Sequence, residues 1–391
     1  MMKEDAGMKV CDVVLNSVWY DPRVRKQIVE YKNNGIDVCA VGLKCIRYNK
    51  EKIEQIPCKT NVVCINEKYD GKQKGIFKKL LREHLRKKYV RKAVLAEKPD
   101  IIHANDLDAL IAVYPVYKKL KCKLIYDSHE ICAENIGSIR RYRFTLPLVK
   151  LYEKHMIKNI DLMVCVSHSA AEYFAKIYNI KKPMVVTNCS LKSEQYISEE
   201  KNDGFEILNH GQFYAGRGYD IMIEAVSYLK EYPEIKMALR GFGSLEDKLK
   251  ARAKEIGDET IRFYPPVLVN ELIPKASMSK VGVAITEPIC LNFKLSVSNK
   301  LFEYASAGLP VIMSDIPEHR YLNDKYQFGI IIQENSPKAF AQAAIKLYTD
   351  KEFYKMCAEN AKKLSQEVNW ENEFGRLINS ERKLINGTAR N

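Results

Sequence analysis

Ser296-Val297-Ser298-Asn299-Lys300-Leu301-Phe302-Glu303 begins the segment whose residue types and order could do chemistry. A polar loop runs into a short helix, with Ser298 or Asn299 placed to cap it and Gly308 placed to stop it in a left-handed conformation. Leu309-Pro310-Val311-Ile312 then leads into a buried parallel strand. The helix starts with free backbone N–H groups and the positive end of its dipole, which suits a phosphate. Glu303 lies about one turn further in, where a carboxylate could accept two vicinal hydroxyls of a ribose. A nucleoside diphosphate fits this arrangement. A surface helix with a Lys300–Glu303 pair at i, i+3 fits the segment taken alone.

The elements around it follow one grammar. Val10–Leu15, Asp37–Val41, Asp100–Ala104, Leu124–Tyr126 and Leu162–Val166 are apolar strand-like runs, with helical stretches near 22–34 and 107–119 between them. The pattern restarts at Glu206–His210, followed by a glycine-bearing loop from Gly211 to Gly218 and a helix over Asp220–Lys230. Lys236–Arg240, Gly241-Phe242-Gly243 and Leu245–Ile256 repeat strand, turn and helix. Further strands are expected at Ile261–Tyr264, Val281–Ile285, Val311–Met313 and Gly329–Ile332. Such alternation predicts an α/β fold of two doubly wound parallel sheets, whose ligands sit beyond the carboxyl ends of the strands. With 391 residues, two domains are expected: 1–190, a polar linker at 191–204, and 205–368, with helices to the end of the chain.

Composition narrows the function classes. Eleven scattered cysteines without a Cys-x-x-Cys pair suggest neither a disulfide framework nor a zinc site, and they fit a reducing cytosol. No apolar run is long enough to span a bilayer, and the start lacks a signal-peptide core, so a cytoplasmic location is expected. The net charge of +14 asks for an anionic partner. Nucleic acid is not expected, since no zinc-finger spacing, RNA-recognition signature or helix-turn-helix accompanies the charge.

Asp21-Pro22-Arg23-Val24-Arg25-Lys26, His103-Ala104-Asn105-Asp106-Leu107-Asp108, Tyr126-Asp127-Ser128-His129-Glu130, Glu287-Pro288-Ile289-Cys290-Leu291-Asn292 and Ser298–Tyr304 occur in that order. Together they resemble family 4 of the retaining glycosyltransferases, with its two Rossmann-like domains facing a cleft (the GT-B fold). The resemblance implies sugar transfer from a nucleotide-diphosphate donor with retained anomeric configuration, needing no metal and no cofactor beyond the nucleotide sugar itself. It places the donor on the second domain and the acceptor on the first, and it carries residues 369–391 back onto the first domain, with Trp370 as a packing anchor.

By the same resemblance, donor contacts fall on Gly211, Gln212, Gly216, Arg217, Gly241, Gly243, Ser298, Asn299, Lys300 and Glu303. His129, Arg217 and Glu287 are the candidate catalytic residues, and Asp21, Arg23, Asp106 and Asp108 the candidate acceptor contacts. Two positions depart from the family pattern. An Arg usual after the first glycine is Gln212, leaving Arg217 as the remaining loop cation, and a Glu usual eight residues before Glu303 is Leu295. Arg217 suits a diphosphate because a guanidinium holds two oxygens in a fixed fork. Several residues keep a second reading: Gly241-Phe242-Gly243 as an ordinary tight turn, His129 and His103 as structural histidines, and Asp106 and Asp108 as helix caps.

Residues 72–92 hold ten cations against one acid, Glu83, and Ile76, Phe77, Leu80, Leu81, Leu85 and Tyr89 fall mostly on one helical face. A basic amphipathic helix suits an anionic bilayer, with Arg140–Phe144 as a second contact; the apolar stripe could instead pack on the sheet. The membrane reading favours a lipid-linked or cell-surface glycan precursor as acceptor, as in polysaccharide assembly, and a peripheral site on the inner face of the membrane. A nucleotide-sugar epimerase of like architecture and a non-catalytic nucleotide-sugar-binding protein are the alternatives.

Overall fold

The computed structural model describes residues 7–44, 56–63, 76–135, 145–257 and 259–387, and its contacts divide the chain into two units. Lys72, Lys74 and the Arg140–Phe144 segment lie outside the described residues. The first unit comprises residues 1–186 and 373–391, and the second residues 187–372.

In the first unit, β1 (Lys9–Val14), β2 (Asp37–Leu43), β3 (Lys59–Val63), β4 (Ile101–Asn105), β5 (Lys123–Ser128), β6 (Leu162–Cys165) and β7 (Met184–Val185) form a parallel sheet in the order β3-β2-β1-β4-β5-β6-β7. β4 is buried along its whole length, as strands covered on both faces must be. The helices are α1 (Pro22–Asn33), α2 (Ile76–Glu97), α3 (Asp106–Leu120), α4 (Leu146–Ile157) and α5 (His168–Tyr178). Asp21 caps α1 by accepting from the Arg23 and Val24 N–H groups, and Pro22 takes the first turn, where its missing N–H costs nothing. The strand order reverses between β1 and β4, so the loops after those strands open at a topological switch point.

The second unit repeats this plan with β8 (Phe205–Gln212), β9 (Ile235–Phe242), β10 (Ile261–Tyr264), β11 (Val281–Ala284), β12 (Val311–Ser314) and β13 (Gly329–Ile332). Their order is β10-β9-β8-β11-β12-β13, all parallel, and the switch point falls between β8 and β11. Strand alternation sends Leu208, Ala238, Ala284 and Met313 into a core under Tyr304, and Ile207, Met237, Val283 and Ile312 into the core on the other face. Its helices among the described residues are α6 (Tyr219–Ala225), α7 (Glu246–Ile256), α8 (Val269–Ala276), α9 (Leu291–Leu295), α10 (Asn299–Ser306), α11 (Pro317–Tyr326), α12 (Pro337–Thr349) and α13 (Lys351–Glu367), and α14 (Trp370–Ile385) starts here and runs into the first unit. α10 ends as its sequence predicts, with Gly308 at φ +67° and the Leu309 N–H returning to the Tyr304 carbonyl.

Two expectations need correction. Residues 191–204 are not a free linker, because Tyr196 donates to the Ser306 carbonyl and Ser198 to the Ser277 hydroxyl, both within the second unit. Trp370 is fully buried, but its backbone N–H donates to the Ser190 carbonyl and it belongs to the second unit. From Glu373 onward α14 belongs to the first unit. There Phe374 meets the Tyr31 ring edge-on, Arg376 reaches the Val185 carbonyl, and Glu381 receives the Tyr31 hydroxyl at 2.6 Å.

Candidate functional site

The carboxyl end of β8 and the first turns of α10 assemble the larger cluster. Lys300 donates to Asn209 Oδ1 at 2.6 Å, and its ammonium lies 5.1 Å from the centre of the Tyr219 ring. Burial, with the nearby Arg217 guanidinium, pushes the Lys300 amine down to about 7. The Asn209 amide in turn donates to the Arg217 carbonyl at 3.0 Å, tying the glycine loop to the strand. The Arg217 guanidinium lies over Phe293 at 4.6 Å and Tyr214 at 5.1 Å, donates to the Tyr214 hydroxyl at 3.1 Å, and stays partly exposed. Aromatic faces on both contacts hold a planar cation in a set orientation without neutralising it.

Glu303 turns not to Lys300 but to His210, whose Nε2 lies 2.7 Å from Glu303 Oε2. Ser298 occupies the cap position of α10, yet its side chain makes no capping hydrogen bond, and Asn299 is exposed. The expected cap is therefore missing, which leaves the first-turn amides without that partner. Gln212 is exposed at the strand end. Glu287 follows β11, its backbone N–H bonded to the Gly216 carbonyl and its carboxyl raised by burial and by Asp220.

Gly211 and Gly241 face each other in register on β8 and β9, where a Cβ on Gly241 would fall 1.8 Å from the Gly211 carbonyl oxygen. Close packing of two strands thus already requires Gly241. A Cβ on Gly243 would likewise strike the Phe213 backbone, so the structural reading of the Gly-x-Gly turn has its own physical cause.

In the first unit the hub is a residue that sequence reasoning did not single out. Asp127, fully buried near the end of β5, accepts from Nε and Nη2 of Arg23 at 2.9 and 3.0 Å and from the Gln27 amide at 2.8 Å. His103 and His129 approach the same oxygen at 3.4 and 3.7 Å. Burial alone would raise this carboxyl, but the Arg23 charge and the two imidazoles hold it well below the usual carboxylate range. Arg23 is therefore not an acceptor contact: it is 3% exposed and committed to Asp127. Asp21 is the cap of α1, and Asp108 is exposed on the first turn of α3.

Asp106 does not cap α3. It sits at φ +66°, an uncommon conformation for a non-glycine residue, and its Oδ1 accepts the His129 backbone N–H at 2.9 Å. His129 also touches Asn105 Oδ1 at 3.1 Å, and its ring remains 16% exposed. Burial opposes a charge here, but Asp106 and Asp127 prevail and raise the imidazole to about 9. At neutral pH His129 is thus a cation and a donor rather than a base. His103 is wholly buried and bridges Asp127 to Tyr31, whose hydroxyl lies 2.8 Å from His103 Nδ1.

The model for glycosyl transferases of group 1 matches residues 192–364, and that for glycosyltransferase family 4 matches residues 46–190. The chain belongs to the group 1, family 4 glycosyltransferases. An uncharacterized glycosyltransferase of Methanocaldococcus jannaschii is 23% identical over 279 residues, covering 66% of this chain and 69% of that protein. Sucrose-phosphate synthase of Thermosynechococcus elongatus superposes with a TM-score of 0.77 at 14% identity, over 97% of this chain and all of that one. Anabaena HepE in complex with UDP-glucose gives 0.71 at 13% identity, over 96% of this chain and 100% of its own. A putative UDP-N-acetylglucosamine 2-epimerase of Listeria monocytogenes gives 0.66 at 13%, over 98% of both chains. These likenesses show the fold, which is GT-B.

Three polar residues of the glycosyltransferase are given no role by its sequence motifs: Asn209 and His210, which lie in none of them, and Asp127, which lies in one. Asn209 and His210 follow the buried apolar pair Ile207-Leu208 toward the carboxyl end of β8, and Asp127 follows Leu124-Ile125-Tyr126 toward that of β5. A polar side chain at the carboxyl end of a central parallel strand was the available signal.

Proposed function

We propose that this glycosyltransferase moves a sugar from a nucleotide-diphosphate donor held by the second unit, with retention of configuration and without a metal ion. One observation carries the reading: Arg217, Lys300 and Glu303 converge on the β8–β11 switch point beside the uncapped start of α10. As the sugar–phosphate bond breaks, negative charge grows on the leaving diphosphate. Arg217, the ammonium of Lys300 and the α10 amides would oppose it in a partly desolvated site. Lys300 reaches the strand end beside Gly211, where Cε would lie 3.3 Å from an added Cβ, and so offers a second cation in the absence of one at Gln212. Glu303 would take the ribose. His129, cationic at the end of β5, suits a phosphate or a sugar hydroxyl as partner, and Asp106 and Asp108 supply acceptors for hydroxyls.

A thermal-shift screen of nucleotide sugars and nucleoside diphosphates tests this, since a ligand of the folded form raises the melting point. Stabilisation by one donor, followed by transfer to a glycan or polyprenyl-linked acceptor with the anomeric configuration kept, is expected. An isomerised donor formed without acceptor would indicate an epimerase, and binding without turnover a sugar-nucleotide-binding protein.

The acceptor is proposed to be presented at the inner face of an anionic membrane, as a lipid-linked or cell-surface glycan precursor. On α2, Phe77 is 84% exposed and Leu80 60%, among Lys78, Arg82, Arg86, Lys87 and Lys88. On α4, Leu148 and Leu151 are similarly bare beside Lys150 and Lys154. Val90 and Val94 are buried in the later part of α2, whereas Phe77, Leu80 and Leu81 in its first turns are exposed. No helix among the described residues is long and apolar enough to cross a membrane. The protein is expected to sediment with anionic vesicles and not with zwitterionic ones at moderate salt, and Phe77→Asp with Leu80→Asp to stay in the supernatant. Equal recovery from both lipids would defeat this reading.

A further inference from the structure

A Cβ on Gly282 of β11 would fall 2.2 Å from the Tyr304 ring, so the bare α-carbon is what lets that ring close on the strand. From there Tyr304 grips a single residue twice. Its hydroxyl accepts the His210 backbone N–H at 3.0 Å, and its ring stacks on the imidazole with centroids 4.5 Å apart and planes 27° apart. The imidazole, only 2% exposed, is thereby fixed with Nε2 against Glu303 Oε2 at 2.7 Å. His210 Nδ1 meets no hydrogen-bond partner among the described residues. A proton buried there would have no acceptor, so it belongs on Nε2, which donates to the carboxylate. Glu303 keeps 25% of its side-chain surface exposed.

We propose that His210 is a positioning residue for nucleotide binding: its Nε2–H holds the Glu303 carboxylate so that its exposed side accepts the ribose hydroxyls. The proposal rests on the assignment of Glu303 to the ribose. A carboxylate one turn inside a helix has several rotamers, and selecting one in advance removes an ordering cost from binding. His210 therefore acts on discrimination between ribose and deoxyribose rather than on the bond that breaks.

Titration calorimetry of the full chain with UDP, GDP, ADP and CDP and with their 2′-deoxy counterparts measures that discrimination as a ratio of affinities within each variant. A general loss of stability cancels in such a ratio. The wild-type protein is expected to favour the ribonucleotide by about ten- to a hundredfold, the size of one hydrogen bond to a charged group. Glu303→Ala should bring the ratio close to one. His210→Phe keeps the stack on Tyr304 and removes only the donor; it should lower the ratio nearly as far, and His210→Gln, which keeps an N–H, should restore most of it. The double variant should lose no more than Glu303→Ala alone. A wild-type ratio in His210→Phe, with the ratio lost in Glu303→Ala, overturns the role of His210 and leaves the ribose assignment standing. An unchanged ratio in Glu303→Ala, or no binding of any of the nucleotides, removes that assignment and the role of His210 together.

Discussion

At the scale of single residues, the charge state of Lys300 links binding to pH. Its amine titrates near 7 because burial and Arg217 disfavour the ammonium. A diphosphate reverses that balance by placing negative charge beside it. Above about pH 7 the empty site holds a neutral amine, so binding takes up a proton and affinity falls by at most about tenfold per pH unit. Calorimetry at pH 8 in buffers of different ionisation enthalpy should register uptake approaching one proton, and Lys300→Met should register none from this residue. Glu303→Ala and Arg217→Ala are expected to lose most turnover with circular dichroism unchanged; near-normal rates in either would remove that residue from the site. The motif residues were legible because spacing along one loop and one helix shows in the chain. His210 was not, since its partner lies 93 positions away and only the packing of Tyr304 brings them together. Arg23 misled for the opposite reason: the resemblance made it an acceptor contact, and the fold gave its charge to Asp127, 104 positions on.

At the scale of elements, α1 is fastened to the β-sheet by a buried ion pair rather than by apolar contact alone. Arg23 and Asp127 are both nearly inaccessible, and Gln27 one turn later bonds the same carboxylate. Removing one partner strands a buried charge, at a cost of about 3–5 kcal/mol. Arg23→Ala should lower the urea midpoint accordingly, and adding Asp127→Asn should recover part of the loss; an exposed pair would show less than about 1 kcal/mol. Strands and long helices were readable from the sequence because apolar runs and 3.6-residue periodicity are local properties. The short edge strand β3 and helices α4, α5, α8, α9 and α11 were not, since segments of about three turns or fewer carry too few periods. The limits of the polar stretch 191–204 misled because polarity marks solvent exposure, not freedom from the neighbouring surface.

At the scale of the whole molecule, the groups whose proton affinity folding raises into the neutral range lie in the first unit and set how its stability changes with pH. Burial raises Asp12 and Glu381 to about 7, from 3.8 and 4.5, and His129 rises from 6.5 to about 9. Each binds protons more tightly when folded, so each contribution is present at low pH and is lost as pH rises through the folded value. The carboxyls lose theirs between about 4 and 7, and His129 between about 6.5 and 9. Asp127, held low, acts in the other direction and loses its contribution only in acid. Calorimetric melting should therefore be higher near pH 6 than near pH 8.5. Glu381→Gln should flatten the lower part of that slope and His129→Gln the upper part; a melting point that climbs steadily to pH 9 would contradict this. The ownership of Glu381 has one more consequence. Residues 373–385, helical, complete a unit whose strands all lie before position 187. On a ribosome the first half emerges early but waits, with Tyr31 and His103 uncovered, until residues 373–385 have been translated. The second half finds every one of its strands sooner after its own first residue, and during synthesis it is the part able to finish folding first.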